Sequence, residues 1–140
     1  MNKGVKIESA VNVNQILGST ARYYAVGCII NNAGVSAVNN ANSDFNGKKM
    51  VFAGTPLAGD LLHRDANNAF TVADSSNATN VVGVLLHDVC VDEGPVGDAT
   101  CLAGGVVNVD RIRPEADAAN MITANIVTAL KGKVEFIKDN

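Results

Sequence analysis

Short apolar runs broken by glycine and asparagine recur along the whole chain, and this rhythm constrains the fold more than any other feature. The runs are of strand length, and the breaks carry residues that close turns. With 13 glycines and only 4% aromatic residues, none of them tryptophan, the core must be built from Val, Ile, Leu and Ala. Such β-branched and aliphatic packing suits a pleated sheet. At 140 residues the chain has the length of one domain and can bury a sufficient core without metal or disulfide. A hydrophobic fraction of 47% is that of a folded domain.

The strongest strand expectation is Tyr23–Ile30, bounded by Gly18-Ser19-Thr20 and Asn31-Asn32-Ala33-Gly34. Ser36–Gly47 reads as a loop and Lys49–Phe52 as a short strand. Thr55–Asp60 carries turn residues, Leu61–Arg64 reads as a strand, Asp65–Asn68 as a hairpin-like turn and Ala69–Ala73 as the returning strand. Asp74–Asn77 makes another turn. Val81–Val91 is the longest apolar run, and Gly83 inside it marks a bulge or a close approach of two backbones. After a turn at Asp92–Pro95, Thr100–Val109 forms a further strand kinked at Gly104-Gly105. Pro114, with acids just behind it, opens a helix whose Ala119, Ile122, Ile126 and Leu130 share one face, and Gly132 stops it. Val134–Ile137 is a closing strand. The fold class is therefore mainly β: a small barrel or sandwich-like domain with one C-terminal helix over about residues 114–130.

Val5, Ile7, Val11 and Val13 alternate loosely and place an extended arm or edge strand over residues 1–20, ahead of a single β-rich domain over 21–140. Alternation does not choose between a strand inside the domain and one added to a partner.

A net charge of −3 and a pI near 5.2 argue against a nucleic-acid binder, which needs a basic patch to neutralise phosphates. Lys48-Lys49 and Arg111-Ile112-Arg113 are the nearest approach to one, and both read as solvated charge. The residues after Met1–Lys6 are mixed and not an apolar run, so no export leader is expected. No stretch approaches a membrane span.

The search for chemistry returns little. Cys28, Cys90 and Cys101 are odd in number and widely spaced; Cys28 and Cys90 sit in apolar runs and read as inert buried residues. No metal-ligand spacing appears. His63, beside Arg64 and Asp65, and His87, beside Asp88, lack the context of a reaction class. A nucleophile pair of Cys90 and His87 lacks any surrounding signature. The acids Asp60, Asp65, Asp74, Asp92, Glu93 and Asp98 fall in turns, where Asp bonds its own backbone. Asn31-Asn32-Ala33-Gly34 matches a tetrapeptide of short-chain dehydrogenases, but no glycine-rich strand-to-helix turn precedes it. Asn77-Ala78-Thr79 is a glycosylation sequon with no expected use. The chain is expected to be non-enzymatic and to hold no cofactor or metal.

The layout of Gly54–Ile112 resembles the lambda-type bacteriophage head decoration proteins and related capsid cement proteins. The resemblance is carried by Gly54-Thr55-Pro56-Leu57-Ala58-Gly59-Asp60-Leu61-Leu62, the hairpin of Asp65–Val72, Asn80-Val81-Val82-Gly83-Val84-Leu85, and Thr100–Val109 running into Arg111-Ile112-Arg113-Pro114. It covers under half of the chain. The long N-terminal portion Met1–Phe52 and the lack of tryptophan depart from the pattern. The resemblance implies a homotrimer on the outside of the head, assembled in the host cytoplasm, that binds the major capsid protein and resists internal pressure. It also implies an N-terminal arm reaching the lattice, with Val5, Ile7, Val11 and Val13 as the capsid contacts; main-chain pairing suits any extended segment. Many copies on a lattice share the load, so each contact can be modest. The alternative is a small β-domain binding module for carbohydrate or a host surface, for which Tyr23, Tyr24, Phe45 and Phe70 are the available aromatics.

Overall fold

The computed structural model describes residues 16–18, 23–64, 68–73 and 80–138. Among these the chain is mainly β. Its strands are β1 (Tyr24–Ile30), β2 (Met50–Val51), β3 (Pro56–Ala58), β4 (Thr71–Val72), β5 (Val81–Leu85), β6 (Val89–Cys90), β7 (Val96–Asn108) and β8 (Val134–Ile137). A six-stranded sheet runs β1-β7-β5-β3-β4, with β8 beside β7, while β2 and β6 form a separate two-stranded ribbon. All pairings are antiparallel except β7 with β8, which is parallel.

The sheet path is open and not a closed barrel. Its two end strands are nonetheless drawn together by a single bridge, Ile30 to Phe70. Phe70 N donates to Ile29 O at 2.7 Å, and Asn31 N donates to Phe70 O at 2.8 Å. The curl encloses one apolar cluster built from all sides: Cys28 and Ile30 of β1, Ala99 and Cys101 of β7, Leu85 of β5, Leu57 of β3, and Phe70. The alternation of side chains along each strand sends the other set to the opposite face. There Val84, Leu102 and Val107 pack with Ile16, Leu17, Ile126, Leu130 and Val134.

Curling this tightly requires backbones to approach one another where a side chain would intrude. A Cβ on Gly83 would strike the carbonyl of Leu102 and the Cys101 sulfur, and one on Gly59 would strike the Phe70 ring. The close approach expected from the glycine in the long apolar run is thus real. The kink expected at Gly104-Gly105 is real too. Gly105 has φ of 141°, and there β7 exchanges β1 for new neighbours.

Three local expectations are corrected. Pro56–Ala58 is a fully buried strand and not part of a turn. Proline stands at its first position, where the missing N–H costs the ladder nothing. Leu61–Arg64 is a turn and not a strand. The Asp60 carboxylate accepts from Leu62 N at 2.9 Å and meets His63 Nδ1 at 2.7 Å, which folds the chain back and leaves Leu62 87% exposed. Val81–Val91 is two strands, because Leu86–Asp88 turns the chain between β5 and β6.

The C-terminal helical segment begins at Pro114 as expected, but in three pieces. A 3-10 turn spans Pro114–Ala116, followed by α1 (Ala118–Met121) and α2 (Ala124–Ala129). Asp117 adopts the left-handed conformation (φ 55°) between the first two, and Thr123 caps α2 by accepting from Ile126 N. The apolar face survives the breaks: Ile126 and Leu130 are buried and Ile122 packs against them. The turns expected at Asp65–Asn68 and Asp74–Asn77 lie largely or wholly outside the described residues.

Replacing Gly83 with alanine is expected to lower stability by about 2–3 kcal/mol, the cost of forcing backbone apart in a packed interior. Gly27→Ala, whose Cβ would meet nothing within 4 Å, is expected to stay within about 0.5 kcal/mol of the parent. Urea denaturation of both variants checks this.

Candidate binding surface

The described beginning of the chain is built into the sheet. Leu17 bridges Val107 of β7 in antiparallel fashion. Asn108 N donates to Ile16 O at 2.7 Å, Gly18 N to Val106 O at 2.8 Å, and Arg111 Nη1 to Leu17 O at 2.8 Å. Ile16 and Leu17 are core residues. The domain therefore already includes residues 16–18. The arm positions Val5, Ile7, Val11 and Val13 lie outside the described residues. The structure describes the segment that follows them in the chain, Ile16–Gly18, called the root below.

Beside that root lies a shallow groove lined by Tyr23, Tyr24, Gly104, Gly105, Val106 and Lys133. The two glycines keep β7 bare beneath the tyrosines: a Cβ on Gly105 would crowd that of Tyr23, and one on Gly104 would touch that of Tyr24. Tyr23 and Tyr24 are adjacent and both more than half exposed. Gly18 continues the surface, because any side chain there would meet Val106 and Ile137, and Ile137 is itself exposed. Root and groove thus share Val106. The tyrosine pair was visible in the sequence at the head of the strand expected over Tyr23–Ile30, but the glycine floor beneath it depends on register across β1 and β7.

The polar residues singled out from the sequence are held in structural work. Asp88, read only as the neighbour of His87, accepts from Ala53 N and from Arg113 Nε, each at 2.7 Å. Arg113 in turn stacks on Phe45 at 5.1 Å, and Phe45 meets Phe52 edge-on at 5.5 Å. Arg111 pins the root, so the Arg111-Ile112-Arg113 triplet is a set of structural ties and not merely solvated charge; Ile112 between them packs over Gly54. Asp92 accepts from Lys49 N at 2.6 Å, and that bond holds its carboxyl below the ordinary range. The His63 hydrogen bond does the same for Asp60, and the Ser43 hydroxyl for Glu115. Asn31-Asn32-Ala33-Gly34 closes the turn after β1: Ala33 N donates to Asn31 Oδ1 at 2.9 Å and Gly34 has φ of 78°. His87 and Cys90 are exposed. The expectation that Cys90 is buried is corrected by its place at the edge of the small ribbon, where its thiol donates to Asp92 at 3.4 Å.

Cys28 and Cys101 are buried in the enclosed cluster and unpaired by disulfide. Burial pushes the Cys28 thiol up to about 11 and the Cys101 thiol up to about 12. Among the described residues no cluster of His, Cys, Asp and Glu is arranged to hold a metal ion, and no helix is long and apolar enough to cross a membrane. No protein-family model matches the chain, and no curated protein matches it.

At pH 8 a thiol reagent is expected to label one cysteine per native chain, Cys90, and all three after denaturation. Since the buried thiols have folded values above the ordinary 9.0, their contribution to stability is present below about pH 9 and lost as pH rises through 11 to 12. Rapid native labelling of Cys28 or Cys101 would contradict this burial.

Proposed function

We propose that this chain is a structural protein of a bacteriophage virion, bound to the outer surface of the head, where it stabilises the lattice of the major capsid protein. The observation that carries the reading is the anchored root. Ile16–Gly18 is tied to β7 by the main-chain hydrogen bonds of Gly18 N to Val106 O and Asn108 N to Ile16 O and by the Arg111 clamp. A segment leaving such a root transmits load into the sheet instead of peeling from it. The exposed tyrosine groove beside the root adds an apolar contact surface at the same place. The layout of Gly54–Ile112, which resembles decoration proteins, supports the same reading. On this account the protein works by binding and not by chemistry, as an oligomer expected to be trimeric, and needs no cofactor.

The two exposed tyrosines also favour a second reading, a carbohydrate or host-surface module, since aromatic rings form platforms for sugar faces. The two readings separate on the arm. In the decoration reading, deleting residues 1–13 abolishes stoichiometric binding to undecorated heads while leaving the melting temperature within a few degrees. Tyr24→Ala weakens head binding about tenfold, the range of a truncated aromatic contact. Retention of full head binding by the deleted protein would overturn the arm's role. A protein that ignores heads but binds a glycan array through Tyr23 and Tyr24 would establish the second reading.

A further inference from the structure

β1 lies at the end of the sheet path, so one of its edges faces outward. The pairing of Val26 with Cys101 and of Cys28 with Ala99 alternates along β7. Since Ile29 O and Asn31 N reach Phe70 on the other side, the backbone groups of Ala25 and Gly27 point away from β7. The Gly27 carbonyl accepts from Arg64 on that outward side, and the alternation of an antiparallel ladder turns the N–H and C=O of Ala25 and the N–H of Gly27 the same way. Gly27 is exposed, and nothing lies within 4 Å of where its side chain would stand. Exposed strand edges are templates for pairing with another chain.

Among the described residues one side chain reaches this stretch of the edge. Arg64 Nη1 donates to Gly27 O at 2.7 Å and its Nε donates to Leu61 O at 3.0 Å. Arg64 is exposed, and among the described residues no carboxylate pairs with it. Its position decides which kind of strand the edge can take. Two copies of β1 pairing about Val26 would bring their Gly27 residues, each with its arginine, to about 8 Å from one another. Two like charges would then sit within a Debye length. A strand carrying a carboxylate meets the opposite situation.

We infer that the edge of β1 over Ala25–Gly27 takes up an extended segment of another protein, apolar at alternate positions and bearing a carboxylate that pairs with Arg64. The segment adds as a strand. It accepts from the N–H groups of Ala25 and Gly27 and donates to the Ala25 carbonyl, while its acidic residue meets the guanidinium. Main-chain bonds supply affinity and Arg64 supplies selectivity. The inference deepens the head-binding reading, on which it rests only for where such a segment would come from.

The test uses two blocked hexapeptides of alternating valine and threonine, one with a central aspartate and one with lysine in its place. They are titrated into the isotopically labelled full chain and followed by amide resonances and hydrogen exchange. The expected result is protection of the Ala25 and Gly27 amides, with the aspartate peptide binding about fivefold more tightly. Arg64→Glu, a surface change that leaves the core untouched, is expected to invert that preference. Unprotected amides at millimolar peptide would overturn the inference. So would equal binding of both peptides that Arg64→Glu does not alter; Arg64 would then only guard the edge against aggregation. No phage head enters the titration, so its failure and a failure of head binding are read separately.

Discussion

β7 pairs with β1 along one side and β5 along the other. Past Gly104-Gly105 it pairs with the Ile16–Gly18 segment and with β8. No other strand touches so much of the molecule, and both apolar clusters depend on its alternation. Ala99 and Cys101 point into the curl, while Leu102 and Val107 point to the face covered by the helical segment. A strand of 13 residues serves this many partners only if it bends, and the positive φ of Gly105 is where it does so.

The bend links fold to surface. Because β7 turns at the glycine pair, the stretch beyond it is free to receive Ile16–Gly18 on one side and β8 on the other. The same two glycines floor the groove under Tyr23 and Tyr24. One sequence feature thus relieves crowding inside the sheet and exposes aromatic surface outside it. The ties around it are polar and specific: Arg111 holds the root, while Asp88 joins the β5–β6 turn to Ala53 and Arg113. A half-buried carboxylate with two partners fixes relative positions more than it adds net stability.

The sequence made the strand content legible wherever a run was apolar and cleanly bounded, as at Tyr24–Ile30 and Val134–Ile137. It misled where local turn chemistry competed with composition. Pro56 beside Gly59-Asp60 looked like a turn, but burial of Leu57 between β4 and β5 pulls the segment into the sheet. Leu61-Leu62 looked like a strand, but the Asp60 side chain captures the backbone just beyond it. The parallel seat of β8 and the groove beneath the tyrosines are products of register between distant segments, which no local pattern carries. Arg111, which holds the Leu17 carbonyl, looked like ordinary surface charge in the sequence.

The claim on which the functional account rests is that residues 16–18 are a fixed part of the sheet. Native-state hydrogen exchange of the full chain measures this at two amides, Gly18 and Asn108, whose bonds join that segment to β7. The account predicts that both exchange as slowly as the central amides of β7, Cys101 and Leu102. Exchange of Gly18 and Asn108 at the rate of the exposed loop over residues 39–47, with the centre of β7 still protected, would contradict it.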